Sequence, residues 1–263
     1  MKIENHIIGN GWRLCLPFLI LLTLYSGSAC QSKKEGPTEQ ELRRRDSLEL
    51  RVALLPIEAC EPLRYAHETG IDDSMGVWLK IVQYDAMMDI DTAVLGQRAD
   101  VYFMDTVRVA RIKVDSVKPR MLMPVPVRLA LVANKGKRIR KSVSLKEHIV
   151  GSTRWSVVDS WLDNIVDSTR LKTEDVFHAQ INSIPLRYRM VRDGLLDAAI
   201  IPQPFVDSLR LRGHRIISTC DLRGMGFYTD SHLQNDTARL HRARVLIDVY
   251  RQAQSKLKIK KAE

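Results

Sequence analysis

Metal-ligand spacing is missing from this chain. Its 263 residues include four cysteines and seven histidines, but no Cys-x-x-Cys and no His-x-x-x-His, so the sequence offers no cue for a zinc or haem site. No Gly-rich phosphate loop appears, and no Ser-His-Asp or Cys-His grouping can be proposed, which leaves nucleotide binding and acyl transfer without their usual signatures. Neither an internal repeat nor a long low-complexity linker interrupts the chain. The apolar run Leu14–Leu24 is too short to cross a bilayer comfortably, since a spanning helix needs about 20 apolar residues.

That short run stands in an informative order. Lys2 and Arg13 precede it, and Ser26, Gly27, Ser28 and Ala29 follow it before Cys30, the arrangement of a secretory signal with a small-residue cleavage site. Gly27-Ser-Ala-Cys30 resembles the lipobox of bacterial lipoproteins. The resemblance implies a signal peptide over 1–29, cleavage before Cys30, and lipid (palmitate among the acyl chains) on Cys30. Acyl chains hold a protein on a bilayer without a span, each buried methylene adding about 0.8 kcal/mol. Residues 30–48 are polar and read as a flexible tether.

The formal charge is +10, and removing residues 1–29, with Lys2 and Arg13 against Glu4, leaves +9. Such a balance favours anionic partners. Export and the lack of any nucleic-acid motif argue against nucleic acid. The densest basic run, Lys135-Gly-Lys-Arg-Ile-Arg-Lys141, holds no aromatic residue and reads as a solvated turn. Cys60 and Cys220 remain in the mature part, either bridged or as two separate thiols.

From Glu49 onward apolar runs alternate with helical patterns, which predicts an α/β fold. Strands are expected at 50–55, 77–82, 99–104, 128–133, 149–152 and 197–201. Helices are expected from Glu61-Pro62 to Gly70, over 90–95 with Asp89 as cap, from 144 to 148, behind a Ser156–Asp159 capping box, from Asn182-Ser-Ile-Pro185 to Gly194, and over 237–257. Strand, helix, strand is the pattern of parallel sheets, whose ligands bind beyond the strand carboxyl ends.

Several segments together resemble the solute-binding proteins of nitrate/taurine-type ABC importers, including the thiamine-pyrimidine-like branch. They are Leu50-Arg-Val-Ala-Leu-Leu-Pro56, Ala66-His-Glu-Thr-Gly70, Asp89–Leu95 with Ala99-Asp100, Asn182-Ser-Ile-Pro-Leu186, and Gly194–Phe205. The family usually reads Pro-Glu-Pro where this chain has Pro202-Gln203-Pro204. The resemblance implies a type 2 periplasmic binding protein fold, two α/β lobes with a hinge and a ligand cleft. Lobe 1 would be 49–126 plus 222–263, and lobe 2 would be 127–221. It further implies a small solute, an ABC permease as partner, a lipid anchor facing the periplasm, and no cofactor. The same fold serves menaquinone-pathway enzymes and a yeast-type pyrimidine synthase. A sensor or accessory lipoprotein without a permease is a third reading.

The loops after the strands make Glu58, Cys60, Met88, Asp89, Asp105, Trp155, Ser156, Asn182, Ser183 and Gln203 the candidate solute contacts. Trp155 beside a helix amino terminus either stacks on a solute or packs in the core. Asn182 and Ser183 either bind or only cap the next helix. Asp89 reads as a helix cap, Asp91 as a first-turn residue and Asp85 as a strand end, rather than as a catalytic cluster.

Overall fold

The computed structural model describes residues 38–40, 49–114, 116–230, 233 and 236–262. Residues 45–263 form one compact unit; Cys30, all of 1–29 and nearly all of 30–48 lie outside the described residues.

Two five-stranded mixed sheets carry the larger unit. In the first, β1 (Leu50–Leu54) runs parallel to β2 (Leu79–Gln83) and β3 (Val101–Asp105), and β10 (Met225–Thr229) pairs antiparallel with β3 and with β4 (Arg120–Pro124). In the second, β6 (Ile149–Ser152) lies parallel between β7 (Phe177–Gln180) and β8 (Ala198–Pro202), while β5 (Val127–Ala133) is antiparallel to β8 and β9 (Arg215–Leu222). The chain passes between the sheets twice, from β4 to β5 and from β9 back to β10.

The helices follow their strands for local reasons. Helix α1 (Glu61–Thr69) starts with Pro62 and ends where Gly70 takes φ +71°, a left-handed turn that glycine enters without strain. Next come α2 (Ile71–Ser74), α3 (Met87–Leu95), α4 (Thr106–Arg111) and α5 (Val157–Asp167). On α5, Val158, Leu162, Ile165 and Val166 recur at helical spacing and are buried. The last three are α6 (Ile184–Arg192), α7 (Phe205–Leu211) and α8 (Thr237–Ala262). Both sheets contribute to one large apolar core that includes Leu50, Leu54, Phe103, Leu131, Ile200 and Phe227, each at most 1% exposed. Burying one such side chain contributes about 1.5–3 kcal/mol. A smaller core under α6 and α7 holds Val191, Leu196, Val206 and Leu209.

Several expectations change. The sheets are mixed, not parallel, because β4, β5, β9 and β10 run antiparallel. Helix α3 is capped by Ala86, and Asp89 sits inside its first turn with its N–H bonded to Ala86 O at 3.1 Å. The segment expected as a helix over 144–148 is a short 3-10 turn, Ser142–Leu145. Asp159 does not complete a capping box; its carboxylate turns back to Ser152 Oγ (2.9 Å) and Trp155 N–H (3.2 Å). Strand β10 was missed because Gly226 weakens its pattern. A Cβ there would stand 2.3 Å from Met123 O, so glycine lets β4 and β10 approach.

Candidate functional site

The loops at the carboxyl ends of β1, β2, β3, β6, β7 and β8 meet across the two sheets. Glu58 N–H donates to Gln203 O and Ile184 N–H to Asp85 O, both at 2.9 Å, while Arg108 Nη1 reaches Arg154 O at 3.2 Å. A cavity of about 420 Å³ opens beside these contacts, shared by α3, α4 and the residues after it on one side and by the β6–α5 and β7–α6 loops on the other.

Trp155 stands at the centre of that wall. Its backbone takes φ +54°, a left-handed conformation uncommon outside glycine, and its ring is half-exposed. Two guanidinium groups stand over the ring: Arg111 from α4 at 4.4 Å from the ring centroid and Arg154 at 4.5 Å. Each contact is a cation–π pair worth about 0.5–1 kcal/mol at an exposed site. The indole therefore joins side chains that follow β3 in one sheet and β6 in the other. Asp91 pairs with Arg108, whose guanidinium is largely buried. Arg111, Lys113 and Arg154 line the same cavity with no carboxylate in ion-pair range among the described residues. Its charge is thus one acid against four bases. Met88, Leu95, Ile112 and Val114 supply an apolar portion.

Below the β6 and β7 loops lies Arg187, 2% exposed. Its Nε donates to Ile200 O (2.7 Å), and Nη1 donates to Thr153 Oγ1 (2.8 Å) and Ile181 O (2.5 Å). These acceptors are neutral, and burial pulls the guanidinium down to about 10. A buried cation with no anion nearby is costly unless a charge of opposite sign arrives.

The candidate contacts named from the sequence separate into groups. Met88, Trp155 and Asn182 line the cavity. Asn182 Nδ2 lies 3.9 Å from Met88 Sδ, and its Oδ1 is buried without a hydrogen-bond partner. Glu58 and Gln203 line a second cavity of about 540 Å³, near the strand crossings and α8. Ser156 is buried and caps α5, accepting from Val158 N–H (3.2 Å) and Asp159 N–H (3.3 Å). Ser183 caps α6 through Leu186 N–H at 3.3 Å. Asp89 is exposed and lines neither cavity. Cys60 is fully buried in the core, where desolvation pushes its thiol up to about 12; it and Cys220 are free thiols. Asp105 is fully buried and caps α4 by accepting from Arg108 N–H at 2.9 Å, while its Oδ2 has no partner. Burial raises its carboxyl to about 6, against the pull of Arg108 and of the Val107 and Val157 amides.

Sequence reasoning missed Arg111, Lys113, Arg154 and Arg187. The first two follow β3 at positions that a short helix and its exit turn towards the cavity, a signal visible only once α4 is known. Among the described residues no cluster of three metal-ligating side chains occurs, and no helix is long and apolar enough to cross a membrane.

No family model matches the chain, and no curated protein matches it. Solved structures do. The chain is similar to the alkanesulfonate-binding protein SsuA from Xanthomonas axonopodis pv. citri bound to MOPS, at 15% identity over 82% of this chain and 76% of that one, with a TM-score of 0.65. It is similar to PhnD1 from Prochlorococcus marinus in complex with methylphosphonate, at 12% identity over 77% and 83%, with a TM-score of 0.58. A Candida albicans gene product described as exhibiting the generic periplasmic binding protein structural fold matches at 16% identity over 80% and 72%, with a TM-score of 0.62. Two mixed α/β sheets, crossed twice by the chain and facing each other at their strand carboxyl ends, give this protein the periplasmic binding protein fold.

Proposed function

We propose that the protein is a solute-binding lipoprotein that captures a small anionic solute between two lobes and delivers it to an ABC importer. The lobes would be 49–126 plus 222–263 and 127–221, moving about the two strand crossings. A solute shifts such lobes only by binding the closed form better than the open one. The observation that carries the reading is the cavity walled from both sheets, with Arg111 and Arg154 over the Trp155 ring and the charge left positive. Proteins of the same fold are described bound to MOPS, which carries a sulfonate, and to methylphosphonate. The solute contacts would be Met88, Trp155 and Asn182 with Arg111 and Arg154; Asp105, Ser156 and Ser183 would hold the loops in place. Glu58 and Gln203 would join the lobes, and Cys60 would serve the core. Catalysis has no residue constellation in its favour here.

Thermal-shift titration of residues 45–263 with alkanesulfonates, phosphonates and carboxylates tests this. A solute at a hundred times its Kd should stabilise the fold by about 2.7 kcal/mol. No shift with any anion, or turnover of one, would sink the reading. Lipid attachment at Cys30, with residues 1–29 as signal peptide, 30–48 as tether and the protein facing the periplasm, is a separate part of the proposal. In it Cys30→Ser moves the protein from the detergent phase to the aqueous phase; unchanged partitioning would mean that something other than lipid anchors it.

A further inference from the structure

The end of the second sheet opposite the cavity gathers three turns. The turn after β5 meets the turn after α6, where Asn134 N–H donates to Asp197 O (2.8 Å), Asn134 Nδ2 to Val191 O (2.6 Å), and Lys137 pairs with Asp197 (2.8 Å). It also meets the turn after α7, where Lys135 Nζ donates to Arg212 O and Lys135 N–H to His214 Nδ1, each at 3.4 Å. This end holds the basic run Lys135–Lys141, which the solute site does not use.

Its chemistry is one-sided. The acids Asp193, Asp197 and Asp207 are each paired already, with Arg192, Lys137 and Arg210. Lys135, Arg138, Arg189 and Arg212 are exposed and have no carboxylate in ion-pair range among the described residues. The same turns carry two bare leucines, Leu195 just after α6 at 67% exposure and Leu211, next to Arg212, at the end of α7 at 86%. Exposed leucines among basic turns fit a surface that is apolar below and anionic above.

We propose that this end of the molecule docks on an anionic phospholipid surface, with Leu195 and Leu211 entering the headgroup layer and the surrounding cations lying against lipid phosphate. Single-stranded nucleic acid fits less well, because base stacking needs a free aromatic face and Tyr188 at this end is packed against Phe205. The docking is independent of lipid on Cys30, which would merely keep the surface near a bilayer.

Co-sedimentation of residues 45–263 with vesicles reads this directly. Partitioning should be at least about tenfold stronger for phosphatidylcholine mixed with phosphatidylglycerol than for phosphatidylcholine alone, and should weaken with salt. Arg138→Glu with Arg212→Glu should lose about tenfold or more, and Leu195→Ser with Leu211→Ser should lose several-fold, both keeping the wild-type melting point within a few degrees. Lys258→Glu with Lys260→Glu, on the basic end of α8, should stay within about twofold as the control for bulk charge. The proposal is overturned by equal binding to both vesicle types, by undiminished binding of both patch variants, or by an equal loss in the α8 control. Binding of duplex DNA without any binding of vesicles overturns it as well.

Discussion

Two cavities flank the line where the sheets meet, and they differ in charge balance more than in size. The one beside Trp155 sets one acid against four bases in about 420 Å³. The one beside Gln203 sets three acids against three bases in about 540 Å³. In the second, Arg128 already pairs with Asp221. In the first, the guanidinium groups of Arg111 and Arg154 rest on an indole, which accepts a cation without neutralising it. An anion gains Coulombic attraction on one side of the molecule and finds a balanced surface on the other. Of the two, volume alone would favour the cavity beside Gln203.

The largest expected effect comes from Arg187, whose buried charge lies under the Trp155 side. Arg187→Met removes the donors to Ile200 O, Thr153 Oγ1 and Ile181 O at once. Leaving buried acceptors unpaired costs about 1–3 kcal/mol each, offset in part by removal of an uncompensated charge. A net loss of about 3–4 kcal/mol, or a melting point lower by roughly 6–16 °C, is expected in a domain of this size. Anion affinity should fall too, and Arg187→Lys should restore part of it by restoring charge. An unchanged melting point would mean that these bonds organise nothing.

Asp105, at the carboxyl end of β3, gives the next largest effect. Burial holds its carboxyl at about 6 in the folded protein, above the ordinary carboxylate value. The folded state therefore keeps a proton that the unfolded chain has released between about pH 4 and 6. The stabilisation from that proton is fully present at the acid end of the window and is lost as pH rises through 6. Asp105→Asn keeps a side-chain oxygen for the Arg108 N–H without the charge. Its melting point should match wild type near pH 4 and exceed it at pH 7, by about 2–3 kcal/mol of stability. A gap that does not change with pH would contradict the burial argument.

Much of the fold was legible in the sequence, because apolar runs such as Leu50–Leu54 and Ala198–Pro202 are buried on both faces and carry their own signal. Of the antiparallel strands, β5 was legible as an apolar run, while β4, β9 and β10 were not. β9 alternates polar and apolar residues at an edge, and β10 depends on a glycine whose reason lies in β4. The site was legible only in part. Trp155 and Asn182 stand out as loop residues, but the sequence does not tell a half-exposed aromatic from a packed one. Arg187 reads as one more surface arginine on an amphipathic helix. Only the fold turns it beneath three strand ends.

The two cavities can be separated by paired substitutions. Arg111→Ala and Arg154→Ala each remove one cation–π contact to Trp155 and one positive charge from the first cavity. Isothermal titration with a sulfonate or phosphonate should show affinity lower by about tenfold to a hundredfold, or roughly 1.4–2.8 kcal/mol, for each. The ligand-free melting point should change by little, since exposed cation–π pairs contribute about 0.5–1 kcal/mol.

The smallest effect belongs to the balanced cavity and makes the comparison decisive. Arg128 and Asp221 face each other across β5 and β9 at 3.4 Å, with side chains 64% and 70% exposed. An ion pair that open to water gains little Coulombic energy and loses side-chain freedom, so its coupling should be at most about 0.5 kcal/mol. A double-mutant cycle of Arg128→Ala and Asp221→Ala, read by thermal unfolding, should give that small value, shrinking further with salt. The double variant should bind the anion as wild type does, because removing the pair leaves the cavity balanced and leaves the Trp155 cavity untouched. If Arg128→Ala instead lowers anion affinity tenfold while Arg111→Ala leaves it intact, the solute sits beside Gln203 and the charge argument for the Trp155 cavity fails.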